Sequence, residues 1–62
     1  MKEAVEDTLQ AMFALEELRQ IWRETAPQHR LSNDQLVSAE KLIKEIRACL
    51  SHISESLEAL QS

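Results

Sequence analysis

The chain has 62 residues, with seven basic and eleven acidic side chains and a net charge of −4. A chain this short is one domain with a thin core, which small domains usually reinforce with disulfides, a metal or a partner subunit. A single cysteine and two histidines exclude an internal disulfide and a structural zinc site, so packing and self-association remain.

The acidic balance argues against general binding to nucleic acid or anionic membranes. The longest apolar run, Ala11 to Leu15, is far too short for a membrane span or a signal-peptide core. With its lone thiol, the chain is expected in the cytoplasm. Glycine is absent, proline occurs once, and Ala, Leu, Glu, Gln, Lys and Arg dominate. These are strong helix formers, so the expected class is all-α.

The first predicted helix covers about residues 2–25. Glu3, Glu6 and Asp7 favour the positive end of its dipole. A heptad can be written through Ala4, Thr8, Ala11, Leu15, Leu18, Trp22 and Thr25, small in its first half and large in its second. Val5, Leu9, Met12 and Phe13 widen the apolar arc on one side, and Ala14 and Ile21 on the other. An arc so wide calls for more than one neighbouring helix. Val5, Leu9, Met12 and Phe13 are therefore expected at an interface with another chain, Phe13 most of all, and Trp22 is expected to cap the loop end of the core.

The connection covers residues 26–32. Pro27 has no amide hydrogen and disfavours a helical Ala26, so the first helix should stop there. Ser32-Asn33-Asp34-Gln35 has capping-box spacing, and Leu31 with Leu36 that of a hydrophobic staple. A short connection between long helices favours antiparallel neighbours.

The second predicted helix covers about residues 33–60. Leu36, Ile43, Leu50 and Leu57 fall at one heptad position and Ala39, Ile46, Ile53 and Leu60 at the other. These eight, with Leu15, Leu18 and Trp22, are the expected core seam. Leu42 and Cys49, a heptad apart beside it, are expected at the oligomer or partner interface. The whole reads as a single helical-hairpin domain, an antiparallel two-helix hairpin that pairs with a second copy into a four-helix bundle. Its length and layout resemble those of the short RNA-binding four-helix bundles of plasmids and of the small hairpin co-chaperones of bacterial secretion systems. The resemblance is one of architecture, carried by no shared motif.

No residue set predicts catalysis, metal binding, a cofactor or a small-molecule substrate. Cys49 and His52 share a helix turn but lack further ligands. Cys49 also lacks a base and an oxyanion site. The basic residues Arg19, Arg23, Arg30, Lys41, Lys44 and Arg47 gather towards the loop half. Against Lys2, the half bearing the termini holds Glu3, Glu6, Asp7, Glu16, Glu17, Glu55 and Glu58. The basic residues form a possible partner-binding surface, diluted by Glu24, Asp34, Glu40 and Glu45. The expected function is a non-enzymatic protein–protein interaction module, an adaptor, co-chaperone or regulatory or assembly factor. It would work by burying helix faces against itself or another helical protein; the alternative is RNA binding by a dimeric bundle.

Overall fold

The computed structural model describes residues 2–61. It consists of α1, Lys2–Thr25, and α2, Asn33–Gln61, packed lengthwise against each other. Glu3, Glu6 and Asp7 of α1 share a groove with His52, Glu55 and Ser56 of α2, so the helices run antiparallel. The hairpin is a rod of 47 × 15 × 14 Å with a radius of gyration of 14.4 Å. A compact chain of this length has a radius of about 10–11 Å.

Local chemistry sets the ends of both helices. Beyond Thr25, the amide of Ala26 donates to the Arg23 carbonyl at 3.4 Å and that of His29 to the Thr25 carbonyl at 2.7 Å. His29 takes a left-handed backbone, φ 55°, which histidine tolerates better than a β-branched residue. Its ring meets the edge of Trp22, with centroids 5.8 Å apart. At the start of α2, the Gln35 amide donates to Ser32 Oγ at 3.2 Å, and the Ser32 amide donates to Gln35 Oε1 at 2.8 Å. This reciprocal pair satisfies amides that have no partner inside the helix. Of the two residues of the expected staple, Leu31 packs on the core and Leu36 is half exposed.

The seam between the helices is displaced from the expected one. On α1 the buried and half-buried positions are Ala4, Asp7, Ala11, Ala14, Leu18, Ile21 and Thr25, and on α2 Gln35, Ala39, Leu42, Ile46, Cys49, Ile53 and Ser56, with Ile43 half-buried beside them. Both sets alternate steps of three and four. Each keeps one expected column (Ala4, Ala11, Leu18 and Thr25; Ala39, Ile46 and Ile53) and takes the residue before each member of the other. Ala14 and Ile21 therefore stand where Leu15 and Trp22 were expected, and Leu42 and Cys49 where Ile43 and Leu50 were.

The reason is the distance between axes. Alanines at 4, 11 and 14 let α2 come close, and Leu42 and Ile46 fill the space beside Ala14 and Ile21. Leu15 and Trp22 in that seam would force the helices apart. Leu15, Trp22, Leu36, Leu50, Leu57 and Leu60 are all exposed and do not belong to the intramolecular core. Leu60 lies outside it because α2, at 29 residues against 24, runs past the start of α1.

Two substitutions test this packing. Ser32→Ala removes one half of the cap and should lower stability by about 1 kcal/mol in a urea titration. Ile46→Asp places an unpaired carboxylate at a side chain only 8 % exposed, and the helical circular-dichroism signal should collapse.

Candidate interaction surface

The two broad faces of the hairpin differ in chemistry. On one, polar groups bridge the helices: Gln10 Nε2 donates to Glu45 Oε1 at 2.9 Å. Nearby, His52 Nδ1 stands 3.8 Å from Asp7 Oδ1, an ion pair only when the imidazole is protonated. These contacts fix the rotation of each helix, because side chains three and four apart share a face.

The opposite face is therefore built from the columns on the other side of the seam. From α1 it carries Val5, Thr8, Met12, Leu15, Arg19 and Trp22; from α2 it carries Leu36, Ile43, Leu50 and Leu57, with the polar Glu40, Arg47 and Ser54 in the next column outward. Steps of three and four again connect the α1 set, so this face is a second seam. Its large apolar members are exposed apart from the half-buried Ile43; Leu15 is at 50 % and Leu50 at 55 %.

The surface area points the same way. The chain exposes 5008 Å² for 7.1 kDa. A compact monomer of that mass shows about 4,100 Å². No large side chain among the described residues is sealed completely from solvent. The elongated rod thus leaves more of its surface in solvent than a compact body of the same mass.

The remaining expected interface residues divide. Val5 and Met12 lie on the apolar face, and Leu9 borders it. Phe13, 65 % exposed, points past Leu9 to the outer edge of α1 and away from α2. Leu42 and Cys49 are buried inside the hairpin, so their expected place at an oligomer interface is corrected. They sit on the side of the seam that the close approach of α1 covers.

The basic residues Arg19, Arg23, Arg30, Lys41, Lys44 and Arg47 are exposed but form no single patch. By helical position, Arg19 and Arg23 edge the apolar face along α1, and Lys44 and Arg47 along α2. Arg19 Nη1 contacts Glu16 Oε2 at 3.5 Å, one turn away. The end that carries Lys2, Glu3, Glu6, Asp7, Glu55 and Glu58 holds five acids and one base, leaving six of each sign for the rest of the rod. The net charge of −4 is thus the charge of one end.

Cys49 packs in the seam with its pKa raised, first by burial and then by the carboxylates of Asp7 and Glu45. A raised pKa suppresses the thiolate, the reverse of what a nucleophile needs. Among the described residues, no group of three or more His, Cys, Asp or Glu is placed to hold a metal ion, and no helix is long and apolar enough to cross a membrane.

Comparisons with protein-family models, with curated proteins and with solved structures found no match to this chain.

The Cys49 environment predicts a pH dependence. The neutral thiol is stabilised by the fold, so its contribution is complete below the ordinary cysteine pKa of about 8.5 and is lost as pH rises through the raised folded value. Urea midpoints should fall above that range, and Cys49→Ala should flatten the fall. Iodoacetamide should modify the folded chain far more slowly than the unfolded one.

Proposed function

We propose that this chain is a small non-enzymatic interaction module that acts by burying its apolar face against another helical surface. One observation carries the reading: a second heptad seam, Val5 to Trp22 on α1 and Leu36 to Leu57 on α2, lies exposed along the length of the rod. A side chain that only covers a monomer core has no need to repeat in an outward column. Helix-in-groove recognition does need it, with anchors at steps of three and four. A homodimeric four-helix bundle and a complex with a different helical protein both satisfy the requirement. Adaptor, co-chaperone and assembly-factor roles all use this mechanism.

RNA binding by a dimeric bundle is a second reading, favoured by the exposure of all six basic residues outside the terminal end. Six acidic residues share that stretch, and Arg19 is already paired with Glu16. Affinity through those side chains would fall steeply between low and physiological salt. Burial of the apolar face would survive the same change.

The test uses the native context. In size-exclusion of extract from its own cells, the wild-type chain should run well above the free 7.1 kDa species. Leu15→Asp combined with Leu50→Asp should shift it to the free position, while Ser38→Asp, on the polar side of α2, should leave it unchanged. If the double variant migrates with the wild type, the apolar face is not the interaction surface.

A further inference from the structure

We infer that the occupant of the apolar face is a second copy of this chain, laid face to face with its loop over the termini of the first. The inference rests on the interaction-module reading and adds the partner and its direction.

Area and length point to a second copy. The broad side of the rod measures 47 by 15 Å, so a copy laid along it covers on the order of 700 Å² of outline, against roughly 800 Å² per partner in stable interfaces. A second copy is a rod of matching length that carries the same apolar stripe.

Charge then chooses the direction. Two hairpins with loops at the same end would set two clusters of Glu3, Glu6, Asp7, Glu55 and Glu58 side by side, doubling the −4 that each copy carries there. The opposite direction lays that acidic end over the partner's loop end, where Arg19, Arg23, Arg30 and Lys41 are offset by Glu24, Asp34 and Glu40, so the two acidic clusters no longer face each other. Like charge is separated along the rod by more than the Debye length of about 8 Å.

On α1, side-chain size agrees with that direction. A two-fold axis across the rods, about level with residue 13 of α1 and residues 46 and 47 of α2, sets α1 on its own copy. Trp22 then lies over Ala4 and Val5, and Leu15 over Met12. On α2, Leu36 lies over Leu57 and Ile43 over Leu50. The large end of the α1 seam meets the small end, as interdigitated packing requires. The α2 overhang bearing Leu57 and Leu60 covers the partner's Leu36. The two Arg47 side chains flank the axis at the rim, where their stems reach solvent.

The experiment uses the purified full chain with Cys49→Ala, carrying a label at Gln28→Cys in the loop or at Gln61→Cys. Sedimentation equilibrium and Trp22 emission are followed across concentration. The expected result is a species of twice the chain mass whose formation shifts Trp22 emission to the blue. Mixed copies, donor at 28 and acceptor at 61, should transfer energy strongly. Two labels at 28 should lie about one rod length apart, near 47 Å. Strong transfer between two loop labels, within roughly 20 Å, would overturn the direction. A wild-type chain that stays monomeric at every concentration would overturn the second copy as occupant; the extract experiment would still judge the face on its own.

Discussion

The structure depends on how closely two helices can approach. Alanines at 4, 11 and 14 give α1 a flat side, and α2 settles against it with Leu42, Ile46 and Cys49 pointing inward. Close axes bring good van der Waals contact per side chain, but three of the buried residues are alanines and contribute little apolar area. The hairpin is thus well fitted and thinly covered. Its largest side chains, Trp22 and Phe13 included, stand outside its own core.

That constraint separates the chemistry of the two broad faces. The polar face holds the hydrogen bond from Gln10 to Glu45, with His52 close to Asp7, and these cross-helix contacts add little stability at an exposed site. The opposite face has its apolar columns turned outward. The asymmetry gives one chain two seams, an inner one made of small and medium residues and an outer one made of large ones. An assembly built on the outer seam would contain its largest apolar burial between chains, coupling folding to association through concentration.

The charge pattern adds a direction to a shape that has little of its own. A rod of two antiparallel helices has nearly cancelling dipoles. The acids at one end leave the rest balanced, so end-to-end asymmetry comes from side chains alone. Phe13 remains apart from this scheme. It lies at the outer edge of α1, and nothing in the hairpin explains its exposure.

Much of the fold was legible in the sequence because it is set locally. Pro27 ends α1, Ser32 and Gln35 cap α2, and the absence of glycine keeps both helices continuous. Heptad periodicity also located one column of each seam, Ala4-Ala11-Leu18 and Ala39-Ile46-Ile53. The second column was not legible. Both neighbours of each shared column are apolar over much of the chain: Ala14 and Ile21 on one side, Leu15 and Trp22 on the other. Periodicity cannot rank two columns that have the same period. Only the packed pair ranks them, because the small column permits a short distance between axes and the large one does not. Residue order alone thus specified two helices, a turn and an excess of apolar surface. Which part of that surface lies inside and which faces outward was settled by packing, since that choice rests on the distance between two helices and no local pattern contains it.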